Sequence, residues 1–269
     1  LNALSLTCLL LRKTDWHDKQ GLRLLLESGA DPNTMIKSGD NALHHALRRD
    51  NSLEMIELLV DHAADPALKS PRDGRSTIAI AAHRGRDDVL ALFDQRGVAL
   101  DLRGVDRLLA ACAMGDGGTT ASLVAQEPHL ANELVAHGGT LLAQFAGNNN
   151  VAGLRCLLDL GVSVSALYRE GDLYFDIAND STALHVASWR AWPDAVKELI
   201  KRGAPVNALD GKGRTALFLA VRACVDSYWT ARRSPDSVGA LLRAGATPSG
   251  IEIPSGYKEV DDLLRLSAS

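Results

Sequence analysis

Four histidines could carry chemistry in this chain, namely His44, His45, His83 and His185. Imidazole is a common metal ligand and a general acid or base near neutral pH. Either role needs several groups that converge on one site. The sequence has no HExxH pair, GxxxxGK[ST] loop, GxSxG elbow or paired CxxC motif. We therefore predict no catalysis, no metal site, no cofactor and no small-molecule substrate.

Aromatic and arginine side chains point to binding instead. The chain contains four Phe, four Trp and four Tyr residues, and eight of these twelve lie in one region: Tyr168, Tyr174, Phe175, Trp189, Trp192, Phe218, Tyr228 and Trp229. Trp, Tyr and Arg are enriched at the energetically important positions of protein interfaces. Two interpretations stay open, because the rings could form a binding surface or could pack the surrounding loops as a local core.

A repeated pair of helices must position these residues. Apolar anchor residues recur with separations that cluster about 33 residues, at Leu10, Leu43, Ile78, Leu108, Leu142, Leu184 and Leu217. Within one copy, residues 195–200 place Ala, Val, Leu and Ile on a single helical stripe. Such a helix pair can bury its stripe only by stacking on neighbouring copies.

The best copies carry specific motifs. Residues 182–187 (TALHVA), 215–220 (TALFLA) and 41–46 (NALHHA) share one pattern, and the ends of units repeat as 29–33 (GADPN) and 203–207 (GAPVN). The first pattern resembles the T-P-L-H-x-A motif of the ankyrin-repeat family. By this resemblance Leu43, His44, Leu184, His185, Leu217 and Gly203 are structural motif residues. The family uses the motif histidine to tie adjacent turns together.

The resemblance implies an all-α ankyrin-repeat solenoid of about six to seven helix-turn-helix repeats with β-turn or hairpin loops. We predict one domain over residues 1–269, with repeats near 1–33, 34–68, 69–101, 102–133, 134–165, 180–208 and 209–249. Two insertions interrupt the period at 166–179 and 224–235, and a C-terminal capping helix follows at 254–267. The units around Leu108 and Leu142 depart from the motif, so their geometry is expected to differ.

Insertions in repeat proteins go to loops, often on the binding side. The resemblance also places the ends of the first helices and the turn tips on a concave face. The predicted partner-binding residues are therefore Trp189, Arg190, Arg222, Tyr228, Trp229, Arg48, Arg49, Arg84 and Arg214. A groove rich in arginine favours an acidic peptide or protein surface. The alternative is that arginine at a helix end only complements the helix dipole and stays solvated.

Composition and charge limit the choice of partner. The net charge is −4 over 269 residues, which gives no general attraction for nucleic acid, so a protein partner ranks above a nucleic-acid one. No apolar run reaches membrane-spanning length, so we expect a soluble, cytoplasmic protein without membrane insertion. The function expected is non-enzymatic protein binding as an adaptor, scaffold or inhibitor. A regulatory domain of a longer enzyme or regulator, and a nucleic-acid-binding repeat protein, are the alternatives.

Overall fold

Short polar side chains start many of the helices. In the computed structural model, which describes residues 3–267, the Asn41 side chain accepts the backbone N–H of His44 at 3.0 Å. The Thr215 hydroxyl accepts the N–H of Phe218 at 3.1 Å. These bonds satisfy donors that a helix start leaves open. The opposite ends often turn at a residue with positive φ, such as Gly203 at 82°.

The chain divides into two compact units, Leu1–Met114 and Gly115–Ser269, here called unit 1 and unit 2. Unit 1 contains α1 (Ala3–Asp15), α2 (Lys19–Glu27), α3 (Ala42–Arg48), α4 (Leu53–Asp61), α5 (Thr77–His83), α6 (Asp87–Gln95) and α7 (Gly104–Ala113). The inner helices α1, α3, α5 and α7 contact one another in sequence, and α2, α4 and α6 form a second row. The core of unit 1 lies between these two rows and contains Leu43 and Leu47.

Unit 2 has the same two rows with additions. Its elements are α8 (Gly117–Gln126), α9 (His129–Ala136), α10 (Gly138–Gly147), α11 (Val151–Asp159), β1 (Leu167–Tyr168), β2 (Ser181–Thr182), α12 (Ala183–Trp189), α13 (Pro193–Lys201), α14 (Ala216–Val225), a 3-10 turn (Thr230–Arg232), α15 (Asp236–Arg243) and α16 (Lys258–Ser267). Helices α10, α12 and α14 form the inner row, and α11, α13 and α15 form the outer row. Helix α16 packs on α15 and buries Val260 and Leu264.

The departure expected after the Leu108 unit takes the form of an additional helix. Where better copies have a Gly-Ala turn, Pro128 leads into α9, and His137 joins α9 directly to α10. Leu130 and Leu134 are the buried residues of α9. A short helix thus replaces the turn between two repeats.

The described residues are mostly helical, and the predicted all-α class is confirmed. The short strands β1 and β2 pair antiparallel, with Leu167 opposite Thr182 and Tyr168 opposite Ser181. The predicted repeat limits and the predicted single domain stay predictions, while the chain itself divides into the two units named above.

Candidate functional site

The first insertion is a hairpin that projects from β1 and β2. Between these strands, Asp172 and Ile177 exchange two backbone hydrogen bonds of 2.9 Å each. This pairing closes a tight loop that holds Leu173, Tyr174 and Phe175. Leu173 is exposed, while Phe175 is buried. Neighbouring residues of one loop therefore face solvent and core.

The buried side of this hairpin joins a local aromatic core. Its buried members are Ala143, Tyr168, Phe175, Ile177, Val186, Trp189, Ala191, Leu219 and Ala223, with Phe218 and Trp229 packed against them. Trp189 is only 4% exposed, and its indole N–H donates to the backbone carbonyl of Phe175 at 2.5 Å. Trp189 therefore fixes the first insertion to helix α12.

Two arginines alternate with aromatic rings and join both insertions. The Arg190 guanidinium lies 4.3 Å from the ring centre of Phe175 and 4.4 Å from that of Trp229. The Arg232 guanidinium lies 4.7 Å from the Trp229 ring and 4.1 Å from the Trp192 ring. Contacts of this kind are worth about 0.5–2 kcal/mol each, more where water is excluded. We call these five residues the arginine–aromatic stack.

The second insertion is also tied down by its own polar groups. Arg233 donates to the carbonyl of Ser227 at 2.7 Å, and the Cys224 thiol donates to the carbonyl of Ser234 at 3.2 Å. Burial raises the pKa of Cys224 to about 11, so the thiol stays protonated at neutral pH. Both insertions are thus held in defined positions.

A carboxylate of the first insertion meets a group of cations. Asp176 lies 2.7 Å from Lys212 Nζ, 3.3 Å from an Arg222 nitrogen and 3.4 Å from an Arg214 nitrogen. Burial alone would raise the pKa of Asp176, but the hydrogen bond from Lys212 and the charges of Arg214 and Lys212 outweigh it and lower this pKa. The carboxylate is therefore ionised at neutral pH.

Large apolar side chains remain exposed on the outer side of both insertions. Leu173 is 92% exposed and Tyr228 is 90% exposed, and Tyr174, which follows Leu173 in the chain, is 38% exposed. Exposed apolar side chains on well-ordered loops indicate a binding surface, because a residue that anchors an interface combines apolar area with little conformational freedom. Leu173 was not among the predicted binding residues. Its place at the tip of a predicted insertion could have indicated it.

The structure separates the predicted binding residues of unit 2 into two groups. Trp189 and Arg190 are buried, at 4% and 3% exposure, and serve as supports in this conformation. Tyr228 is almost fully exposed, while Arg222 and Trp229 are partly exposed. The local-core interpretation therefore describes Trp189 and Phe175, and the binding interpretation fits Tyr228.

Comparison with known families identifies the repeats. A family model described as three copies of ankyrin repeats matches residues 14–103, and a single ankyrin-repeat model matches residues 179–211. The chain is an ankyrin-repeat protein. The predicted family is confirmed, and with it the predicted fold class of an all-α ankyrin-repeat solenoid.

Curated relatives match parts of this ankyrin-repeat protein. The human cyclin-dependent kinase 4 inhibitor B is 34% identical over 82 residues, which cover 30% of this chain and 58% of the inhibitor. A putative ankyrin repeat protein of Rickettsia bellii is 31% identical over 124 residues, covering 40% of this chain and 48% of the relative. The rice potassium channel AKT1 is 35% identical over 82 residues, 30% of this chain and 9% of the channel. The matched segments thus span less than two thirds of these relatives.

Two ankyrin motif histidines, His44 and His185, tie the inner helices α3 and α12 to the turn that follows in the chain. In α12, Nδ1 of His185 accepts the N–H of Thr182 at 3.1 Å, so Nε2 carries the proton and donates toward the carbonyls of Ala208 at 3.0 Å and Arg214 at 3.1 Å. His44 makes the equivalent contact with the carbonyl of Leu68 at 3.1 Å. Burial lowers the pKa of both rings below 6.5, so both are neutral at pH 7.

The predicted arginines of unit 1 already face carboxylates. Arg49 lies 2.9 Å from Asp15, and Arg84 lies 2.7 Å from Asp50. Each of these aspartates precedes its arginine by 34 residues, about one ankyrin repeat. Arg48 likewise pairs with Asp73 at 2.9 Å and Asp40 at 3.2 Å. These arginines therefore link neighbouring repeats, and much of their charge is compensated.

Trp16 of unit 1 is an exposed aromatic residue that the sequence interpretation did not include. It is 62% exposed, with the Arg12 guanidinium 4.9 Å and the Lys13 ammonium 5.6 Å from its ring. Counted from Leu10, it occupies the position that holds Arg49 and Arg84 in the next two repeats. The same count along the first repeat could have found it.

Between residues 3 and 267, no group of three or more His, Cys, Asp or Glu side chains is arranged to hold a metal ion. Within the same part of the chain, no helix combines the length and hydrophobicity needed to cross a membrane.

Proposed function

We propose that this ankyrin-repeat protein is a non-enzymatic protein-binding module whose partner docks on the two insertions of unit 2. The observation that carries the proposal is the near-complete exposure of Leu173 and Tyr228 on loops held by the arginine–aromatic stack. A partner that covers these two side chains recovers apolar burial worth about 1.5–3 kcal/mol for a fully buried leucine. Because the loops are already ordered, little further entropy is lost on binding.

Charged groups beside the exposed side chains give the surface a polar rim. Lys212 and Arg222 lie on the turn and helix next to the first insertion and remain partly exposed. An acidic segment of the partner fits these cations, since carboxylates pair with arginine in a defined orientation. The predicted residues Arg190, Trp189 and Trp229 act in this proposal mainly by holding Tyr228 and the hairpin in place.

The role as adaptor, scaffold or inhibitor rests on the family. The human relative is named as an inhibitor of cyclin-dependent kinase 4, which supports the inhibitor role among these three. The match to 9% of a potassium channel supports a second candidate, in which these repeats are a regulatory domain of a longer protein. Both roles use the same kind of binding surface.

A nucleic-acid partner is less well supported. Binding to a nucleic acid requires cationic side chains that neutralise its phosphates and so release the counterions condensed on them. Arg48, Arg49 and Arg84 each pair with an aspartate within unit 1. Unpaired basic stripes are the usual footprint of nucleic-acid binding, and these arginines do not form one.

The proposal is tested by quantitative affinity capture from extract of the source cells. The double substitution Leu173→Asp with Tyr228→Asp is expected to remove the captured partner while leaving the helical circular dichroism signal unchanged. Leu24→Asp is the matched control, because Leu24 is a 65% exposed apolar residue of unit 1. Capture that survives the double substitution, or that Leu24→Asp removes equally, would place the binding surface elsewhere.

A further inference from the structure

Three cations of unit 2 converge on one point at its surface. Lys212, Arg214 and Arg222 come from two elements, the turn before α14 and α14 itself, and all lie within 3.4 Å of the Asp176 carboxylate. Arg214 and Arg222 each have a second carboxylate, Asp210 at 2.8 Å and Asp226 at 3.3 Å respectively. Within residues 3–267, Asp176 is the carboxylate that pairs with Lys212.

The carboxylate that fills this point comes from an insertion rather than from the repeat. The side chains of Lys212 and Arg222 are 53% and 32% exposed, so a ligand can reach both from solvent. The Arg214 side chain is 11% exposed and is reached through the position of the Asp176 carboxylate, which is itself 41% exposed. The adjacent Phe175 is buried and its carbonyl is held by Trp189. The Asp172–Ile177 backbone pairing closes the loop on the other side. Rotation of the Asp176 side chain alone therefore opens the cation group, without movement of the hairpin.

We propose that Lys212, Arg214 and Arg222 form a carboxylate-binding site for an acidic segment of a protein partner, and that Asp176 fills this site in the free protein. This inference rests on the proposed function and names the chemistry of the partner. The partner's carboxylate replaces that of Asp176, so the cations are never left without an anion. The first insertion then acts both as a support for Leu173 and as an internal competitor.

The energies involved permit such an exchange. Ion pairs between exposed side chains contribute little to stability, because water and salt screen them and two side chains must be ordered. A carboxylate from a docked partner meets the same three cations in a less solvated setting, where the attraction is stronger. The exchange therefore favours the partner only when other contacts hold it nearby, which Leu173 and Tyr228 supply.

The test uses a fluorescein-labelled hexaglutamate peptide as the acidic probe and measures its binding to the full chain by fluorescence polarisation at low salt. Asp176→Asn removes the internal competitor and keeps nearly the same shape. Its affinity for the peptide is expected to exceed that of the wild type by about three- to tenfold, as loss of the two more exposed ion pairs, with Lys212 and Arg222, implies. Adding Lys212→Gln to Asp176→Asn is expected to abolish the gain.

Asp172→Asn is the matched control, because it removes the same charge from the same loop. The Asp172 side chain instead accepts the backbone N–H of Tyr174 at 3.0 Å. An equal gain in both aspartate variants would reduce the effect to general electrostatics and overturn the proposal. No gain in Asp176→Asn, in a variant whose melting matches the wild type, would overturn it as well. The Leu173 and Tyr228 capture experiment is independent, so the proposed function can stand if this site fails.

Discussion

Trp189 is the side chain that most directly tests how the insertions are held. Replacing it by alanine removes a ring from the centre of the local core and the donor that binds the Phe175 carbonyl. It also removes the face on which the Arg222 guanidinium lies at 5.0 Å. The first insertion should lose its main attachment to α12 as a result.

The magnitude follows from burial. Removing a large aromatic side chain from a core costs about 3–5 kcal/mol, depending on how far the site collapses. The ring of Trp189 is buried and its N–H is bonded, so we expect a loss of about 4 kcal/mol in the free energy of unfolding of unit 2. For a protein of this size each kcal/mol lowers the melting temperature by about 2–4 °C.

The assay is urea denaturation followed by circular dichroism, with Trp16→Ala as the matched control. Trp16 loses the same atoms but is mostly exposed, so we expect a cost of at most about 1 kcal/mol from its cation contacts. Trypsin should also cleave faster after the exposed Arg169 in Trp189→Ala than in the control. Equal stability of the two variants would refute the assignment of Trp189 as a structural support.

Three further predictions concern the ankyrin repeats themselves. Burial lowers the pKa of His185 below 6.5 in the folded state, so the unfolded chain takes up the proton at a higher pH than the folded protein does. Stability should therefore fall as the pH drops from about 7 to 5, and urea denaturation of His185→Gln should show a flatter dependence of stability on pH. Gly203 has a φ of 82°, and Ala63 has a φ of 63° at the matching position of another repeat. Gly203→Ala should therefore lower the free energy of unfolding by about 1 kcal/mol, and Ala63→Gly should raise it by up to about the same amount, as measured by urea denaturation. Arg84→Ala should cost about 3 kcal/mol because its aspartate partner is nearly buried, whereas Arg96→Ala, which breaks more exposed pairs, should cost about 1 kcal/mol or less by the same assay.

Much of the architecture follows from local sequence signals. The TALH-type motifs carry both the helix start and the histidine that reaches the next turn, so Thr182 and His185 specify their contacts within three residues. Glycine after the outer helix sets its end, as at Gly203. The recurrence of these signals at one period then predicts the stacking, because each helix pair needs a neighbour to bury its apolar stripe.

The interior of the candidate site could not be read from the same signals. The family resemblance predicts a partner-facing position for Trp189 and Arg190. Both are buried in the structure, where Phe175 of the first insertion contacts both and Trp229 of the second insertion contacts Arg190. An insertion has no counterpart in the other repeats, so the period says nothing about its path. The pairing of Arg49 and Arg84 with aspartates one repeat earlier could have been predicted from the sequence, since equal spacing places such residues side by side.

The central claim, that a partner docks on the insertions of unit 2, is tested most directly by site-specific photo-cross-linking. A photoreactive amino acid replaces Tyr228 in one variant and Leu24 in another, and both are irradiated in source-cell extract. We predict one defined protein adduct from position 228 and none from position 24. Adducts from position 24 alone, or no adduct from position 228 in a folded variant that still captures its partner, would contradict the claim.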